Sequence, residues 1–335
     1  MKSWKLAVLA CAIASLACLM LAGCQTQSYT PQMKEQAVSA AALGKDGVLR
    51  VGVNANSAPL AGVPEGSAKI IGIDVDVASY LADQLGLKLE VVDVGADAES
   101  ALEAKTVDVV LGVDSSASDA SYWRSERYIG KGVALFGTAN ESAIPTPGDS
   151  SSSIAAQEGT WSEKRVTDLF GNDALVKVKD LKTALEDVSQ GTVRYAAGDI
   201  LAGAYLADFA DYNIQVKPLA LMQDPSGYCA AVAQSNTELS GAIAGALKAM
   251  TDGGMMDIIE TKWLGGPLDV DSFTVLKNSS SDSSASAKTE AEPEPESEPA
   301  AEEEGEGEGE GEGEWTEGEG AEYEGEWTEG EGEAY

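Results

Sequence analysis

Histidine is absent from all 335 residues of the chain. This excludes catalytic triads, proton transfer by imidazole and metal sites with imidazole ligands. No G-x-x-x-x-G-K stretch signals a phosphate-binding loop, and no spacing of acidic residues points to carboxylate-pair catalysis. Basic residues are also few, 22 against 56 acidic residues, with a formal net charge of −34. Because such a surface repels nucleic acid and anionic lipid, we expect neither as a partner. We also expect no enzymatic function and no cofactor.

Cysteine is scarce, and its placement excludes a disulfide framework. Of the four cysteines, two lie within residues 1–23, Cys24 follows directly, and Cys229 stands alone in an apolar run that predicts burial. Residues 1–23 have a lysine-bearing start and an apolar stretch of signal-peptide length. Their end, Leu-Ala-Gly followed by Cys24, resembles the lipobox of bacterial lipoproteins, which implies a diacylated mature N-terminus. An uncleaved anchor helix is the alternative.

The two ends of the remaining chain lack the apolar content of a folded core. A polar linker is predicted for residues 24–46, and residues 278–335 carry 22 acidic residues against one base, Lys288. Glycine alternates there with glutamate, and the octet GEWTEGEG occurs twice, from Gly313 and from Gly325. Such a sequence buries too little surface to offset its ordering entropy, so we predict a disordered acidic tail. The tail is either an inert extension or a functional segment, which would be a solvated spacer, a weak binder of cations or a docking segment.

The middle of the chain alternates between strand and helix patterns. "GVLRVGVN" predicts a buried strand, and "DVDVASYLADQLG" predicts a helix that places Val77, Leu81 and Leu85 on one face and ends at Gly86. The alternation continues through "LKLEVVDV", "VDVVLGVD" and "TVRYAAGD", which predicts an α/β fold with mainly parallel sheets. Ligands of such sheets bind at the carboxyl ends of strands, where the loop from Gly112 begins.

An ordered series of stretches resembles the family 3 extracellular solute-binding proteins. It includes "LRVGVNANSAPL", "IIGIDVDVASYLADQLGLKLEVV", "QEGTWSE", "GDILAGAYLAD" and the ending "ETKWLG", and it runs from Val48 to Gly265. The resemblance implies a two-lobed, type II periplasmic-binding-protein-like fold with two hinge crossings. Lobe 1 would comprise residues 47–136 and 228–277, and lobe 2 residues 137–227.

In lobe 2, the resemblance implies two contacts with an amino-acid ligand. Asp199 matches the aspartate that takes the α-ammonium group, for which a carboxylate is a charge-assisted acceptor. Gly159 and Thr160 match the Gly-Thr at a helix start that receives the α-carboxylate. Each has a structural alternative: Asp199 as the N-cap of the next helix, and Thr160 with Glu163 as a capping box.

In lobe 1, the sequence departs from the family pattern, in which an arginine forks onto the ligand carboxylate. Counting from Gly112 puts that position at Asp119, and counting back from Tyr128 puts it at Ser118, so the arginine is missing. The two arginines in residues 123–127 follow several positions later and are either site residues or surface charges.

The aromatic positions of the family pattern are also changed, to Ser57, Leu60 and Gly95. Asp114 replaces the hydroxyl residue of the family loop and is followed by Ser115. We therefore predict a site built from Ser57, Asp114, Ser115 and Asp119 in this lobe, whose acidic face favours a cationic solute.

These features favour a monomeric, lipid-anchored receptor on the extracytoplasmic face of the cell membrane. It would capture a small polar solute and deliver it to an ABC permease. The solute would be an amino acid or a related compound, and the acidic face favours one that is cationic. The alternative is a surface interaction or sensing module that reuses the fold with a degenerate pocket.

Overall fold

The computed structural model describes residues 34–117, 121–208 and 212–278. The predicted signal segment, Cys24, Asp119 and the acidic tail from residue 279 lie outside these ranges. Within them, no helix combines the length and apolar character needed to cross a bilayer.

Strands and helices alternate through most of the described chain. The strands are β1 (Val48–Val53), β2 (Asn56–Ser57), β3 (Ala61–Gly62), β4 (Lys88–Asp93), β5 (Val109–Asp114), β6 (Tyr122–Arg124), β7 (Ile129–Lys131), β8 (Val133–Thr138), β9 (Ile154–Gln157), β10 (Leu175–Val178), β11 (Tyr195–Asp199), β12 (Val216–Leu221) and β13 (Ser226–Ala233). The helices are α1 (Ile73–Gln84), α2 (Ala98–Glu103), α3 (Trp161–Phe170), α4 (Leu181–Ser189), α5 (Ile200–Asp208), α6 (Thr237–Asp252) and α7 (Met255–Leu264). Short 3-10 helices lie at Ala40–Ala42, Asn172–Ala174 and Val270–Ser272.

Two larger sheets organise these elements. The first has the strand order β4-β1-β5-β13-β6, with β7 also paired to β13, and the second has the order β10-β9-β11-β8-β12. In the first sheet β1 runs parallel to β4 and β5, with Val51 beside Val91 and Val109. In the second, β9 runs parallel to β10 and β11.

Each sheet also contains antiparallel pairs, so the sheets are mixed and the prediction of mainly parallel sheets was wrong in this respect. β13 is antiparallel to β5, β6 and β7, and β8 is antiparallel to β11 and β12. The reason is the path of the chain between the sheets. β8 and β13 each enter a sheet from the side at which its parallel strands have their carboxyl ends. They therefore run in the opposite direction to those strands.

The chain passes from the first sheet to the second at Gly132 and returns between residues 221 and 226. The predicted lobe boundary after residue 136 thus falls inside β8, which belongs as a whole to the second sheet. Likewise, β13 begins two residues before the predicted return at 228. The shifts are small because strand ends are weakly marked in sequence.

Apolar side chains pack between the sheets and their helices. The largest cluster includes Val51 and Leu81 beside the first sheet and Phe136 beside the second, and a separate cluster buries Phe170 of α3. Cys229 is fully buried, as predicted. This packing leaves the carboxyl ends of the parallel strands free for a binding site.

Candidate ligand-binding site

Two cavities lie at the carboxyl ends of parallel strands, one beside each sheet. The first has a volume of about 420 Å³ and is lined at strand ends by Asn54 and Asp114. The second has a volume of about 440 Å³ and is lined at strand ends by Gln157 and Asp199. Tyr228 of β13 lines both, so the two cavities meet at the strand that returns to the first sheet. Their position is the usual one for ligands of open α/β sheets, and their volumes fit small-molecule sites.

The linings of the two cavities are acidic. Among the described residues, Lys131 is the single basic residue that lines either cavity. The acidic lining residues are Asp74, Asp97, Glu99, Asp114 and Asp199. This surplus of carboxylates favours a solute with positive charge.

Lys131 occupies the junction of the two cavities. Its ammonium group pairs with the Asp114 carboxylate and lies 5.0 Å from the centroid of the Tyr228 ring, a cation–π distance. Burial would raise the pKa of Asp114, but hydrogen bonds from Lys131 and Ser116 outweigh it and hold the pKa below its usual value. Asp114 therefore faces the first cavity as a carboxylate that already has a cationic partner.

Asp199 ends β11 and lies at the start of α5 on the second cavity. Its Oδ1 accepts a hydrogen bond from the Ala202 N–H at 2.9 Å, so the side chain caps α5. Burial raises the pKa of Asp199, opposed by backbone hydrogen bonds and by the charge of Lys131. Capping does not exclude a contact with a solute in the cavity, so the structural and the ligand-binding interpretations of this residue are compatible.

The start of α3 forms a capping box at the second cavity. The Thr160 side chain accepts from the Glu163 N–H at 3.4 Å, while the Glu163 carboxylate accepts from the Gly159 N–H at 2.6 Å. Thr160 lines the cavity, but Gly159 is exposed outside its lining, and its N–H is already bonded. Trp161 lines the cavity too, with its indole N–H donating to Gln223 at 2.7 Å.

The predicted serines of lobe 1 have different environments. Ser57 lines the first cavity, together with the other two changed positions, Leu60 and Gly95. Ser115 does not line it. Its N–H donates to the Gly227 carbonyl at 2.8 Å and its hydroxyl accepts from the Gly227 N–H at 3.1 Å, so it joins the loop to β13.

Neither of the two arginines after the loop lines either cavity. Arg124 donates to the carbonyls of Ser115 and Ala117, and Arg127 pairs with Asp271. Neither replaces the missing arginine of the family pattern. Arg124 instead holds the backbone of the loop through these two carbonyls.

Asp74 is a site residue that the sequence analysis did not select. It is 1% exposed, lies at the start of α1 and lines the first cavity. The Tyr128 hydroxyl donates to its Oδ1 at 2.6 Å and accepts from the Gly112 N–H at 2.8 Å. Burial raises the pKa of Asp74 to about 7, although the Tyr128 hydrogen bond acts in the opposite direction.

Lys131 and Tyr228 were also missed, although both lie close to the points where the chain crosses between the two sheets. Tyr228 is close enough to Asp199, Asp114 and Asp74 for their charges to raise the pKa of its hydroxyl, after the larger effect of burial. A signal was present in the sequence, because a lysine and a tyrosine at the two hinge crossings are polar groups placed between the lobes.

Sequence comparison identifies relatives with a common role. The family model of the bacterial extracellular solute-binding proteins, family 3, matches residues 49–266. Among curated proteins, the L-cystine-binding protein TcyA of Bacillus subtilis (strain 168) is 26% identical over 257 residues, covering 76% of this chain and 94% of the relative.

Solved structures share the architecture. A polar amino acid ABC uptake transporter substrate binding protein from Streptococcus thermophilus matches with a TM-score of 0.59 and 18% identity, over 67% of this chain and 88% of that chain. The L-cystine solute receptor of Neisseria gonorrhoeae, in an unliganded open conformation, matches with a TM-score of 0.54 and 22% identity, over 65% and 93%. At these identities the likeness shows the fold alone, and it confirms the predicted type II periplasmic-binding-protein-like fold.

Proposed function

This chain belongs to family 3 of the bacterial extracellular solute-binding proteins, and from that premise we propose that it captures a small polar solute between two lobes and delivers it to an ABC import permease. The solute is an amino acid or a related compound that carries at least one ammonium group. The protein acts as a monomeric receptor, not as an enzyme. Its two lobes are built on the two larger sheets, and the chain crosses between them at Gly132 and between residues 221 and 226.

The acidic lining of the two cavities is the observation that carries this proposal. Five carboxylates face one lysine, and that lysine is already paired with Asp114. A solute that brings only negative charge meets no unpaired cation among the described lining residues. An ammonium group meets Asp199, whose carboxylate lines the second cavity and offers a charge-assisted hydrogen bond.

Similar proteins bind amino-acid-like solutes. The curated relative from Bacillus subtilis is an L-cystine-binding protein. An ancestral cationic amino acid solute binding protein matches with a TM-score of 0.56. The lobe 1 positions that differ from the family pattern separate this chain from a standard amino-acid receptor. A solute panel therefore has to identify the compound.

A thermal-shift panel tests solute capture. Purified protein is melted with amino acids, amines and neutral analogues, and a bound solute raises the melting temperature. At a concentration of about 100 times Kd, we expect a rise of about 5 to 10 °C. Asp199→Asn is the matched variant, because asparagine retains the cap of α5 while removing the charge.

We expect Asp199→Asn to melt near the wild-type temperature without solute and to lose the solute-induced rise. If no solute in the panel shifts the wild-type protein, capture is refuted and the surface interaction module becomes the better interpretation.

Anchoring and delivery need separate tests in cells. We place the protein at the extracytoplasmic face of the membrane, held by lipid on Cys24. A Cys24→Ser variant is expected to leave the membrane fraction and to lose incorporation of labelled fatty acid. Uptake of the captured solute is expected to fall in cells that lack the protein. Unchanged uptake would count against delivery even if binding is observed.

A further inference from the structure

Trp161 is an exposed aromatic side chain that lines the second cavity. It is the first residue of α3 and is 56% exposed. Of the six large apolar side chains that are exposed in the described residues, Trp161 alone lines either cavity. An isolated exposed apolar side chain is ordinary on a protein surface, but one that lines a cavity is placed to contact whatever enters it.

Two contacts hold the Trp161 ring in place. Its indole N–H donates to the Gln223 Oε1 at 2.7 Å, and the Lys164 ammonium group lies 5.7 Å from the centroid of the ring. Because the single N–H of the indole already has its acceptor, what the side chain offers to a solute is apolar ring surface. A ring that is held before the solute arrives loses little side-chain entropy on binding.

The surroundings of the ring favour an uncharged group of the solute over an ammonium group. Lys164 already places a positive charge over the indole, so a second cation at this surface would be repelled. Apolar side chains from β8, α4 and α5 line the same cavity, namely Val133, Leu181, Ala202 and Leu206. Asp199 lines it as well and is the group that attracts an ammonium. The second cavity therefore combines an acidic acceptor with an apolar wall.

We propose that Trp161 is a specificity-determining residue, on which an aromatic group of the solute stacks while the ammonium group binds Asp199. The solute is then an aromatic amino acid or an aromatic amine. Stacking of two rings is favourable beyond the area that it buries, so an aromatic group gains more from this surface than an aliphatic group does. This inference rests on the proposed receptor function and names the substrate class of that site.

Solutes that differ in one group test the selection by titration calorimetry on the purified protein. L-Phenylalanine is compared with L-alanine, and phenethylamine with ethylamine, because the members of each pair differ by a phenyl ring. The wild-type protein is expected to bind the aromatic member of at least one pair about 10- to 100-fold more tightly. L-Cyclohexylalanine, whose ring is apolar but not aromatic, is expected to bind several-fold more weakly than L-phenylalanine.

Two variants of Trp161 separate the ring from its N–H. Trp161→Ala is expected to reduce the preference for the aromatic member at least about tenfold, while the affinity for the smaller member changes little. Trp161→Phe retains a ring without the N–H and is expected to retain most of the preference. Because the side chain is largely exposed, both variants should melt near the wild-type temperature.

The matched control is Tyr212→Ala. It removes another exposed aromatic ring that has a lysine over it, but one that lines neither cavity. This control is expected to keep the preference for the aromatic member.

Four results would each overturn the role of Trp161 and leave the receptor function intact. The first is binding by the wild-type protein without preference for the aromatic members, and the second is a Trp161→Ala variant that retains the preference. The third is a Trp161→Phe variant that behaves like Trp161→Ala, and the fourth is equal binding of L-cyclohexylalanine and L-phenylalanine. Absence of binding by every solute, including those of the thermal-shift panel, refutes the receptor function as well.

Discussion

Replacing Asp74 with asparagine changes how the free energy of unfolding depends on pH. The carboxyl has a pKa of about 7 in the folded protein, against an ordinary value of 3.8. The folded state therefore binds this proton more tightly than the unfolded state does. The stabilisation is fully present below about pH 4 and is lost as the pH rises through about 7.

The magnitude follows from the size of the shift. Each pKa unit corresponds to about 1.4 kcal/mol, so a shift of about three units gives about 4 kcal/mol between acid and alkaline conditions. The total stability of a domain is about 5 to 15 kcal/mol, so this one carboxyl makes a measurable difference. Asp74→Asn abolishes the titration. Relative to wild type, the variant should therefore gain stability with rising pH, by about 1.4 kcal/mol per unit up to pH 7.

Urea denaturation at a series of pH values from about 5 to about 8.5 measures this difference, because the linear dependence on urea yields the free energy of unfolding. Titrations common to both proteins cancel in the difference. Asp97→Asn is the control. Because hydrogen bonds from Ser100 lower the pKa of Asp97, its titration lies below this range and its difference should be flat. A flat difference for Asp74→Asn as well would refute the reasoning, since it would mean that burial does not raise the pKa of this carboxyl.

Three further changes have defined outcomes. Tyr128→Phe removes the hydrogen bond to Asp74, so we expect a loss of about 1 to 3 kcal/mol in urea denaturation and a further rise in the pKa of Asp74. Gly112→Ala forces a side chain into a backbone position with φ +74° and against Asp74 Oδ2, so urea denaturation should show lower stability. Lys131→Met leaves Asp114 without its cation, so we expect ammonium solutes to bind several-fold more tightly and with a stronger dependence on salt concentration. Weaker binding would indicate that Lys131 itself contacts the solute.

Much of the architecture was predictable because it depends on local patterns. Buried runs rich in β-branched residues marked β1 and β5, and the apolar face of α1 was visible in the spacing of Val77 and Leu81. The departure from mainly parallel sheets was not predictable from such patterns, since a strand looks similar in sequence whichever way its neighbour runs.

The candidate site was predictable only in part. Asp199, Thr160, Asp114 and Ser57 line the cavities and could be selected by matching the family pattern, although their role in binding stays a prediction. Ser115 was selected in the same way, but its hydroxyl bonds to Gly227 of β13 instead. The direction of its side chain depends on which strand the loop joins, and this is not visible in the sequence.

The sequence by itself determined the family, the α/β class, the absence of imidazole chemistry and the acidic balance of the chain. Each follows from composition or from residues near one another along the chain. The tertiary structure alone decided which charges are neutralised and which are not. It pairs Lys131 with Asp114, and it sets Tyr128 against Asp74 across 54 positions of sequence. The reason is physical: the energy of a charge depends on burial and on the distance to its partner, and both are set when distant segments pack together.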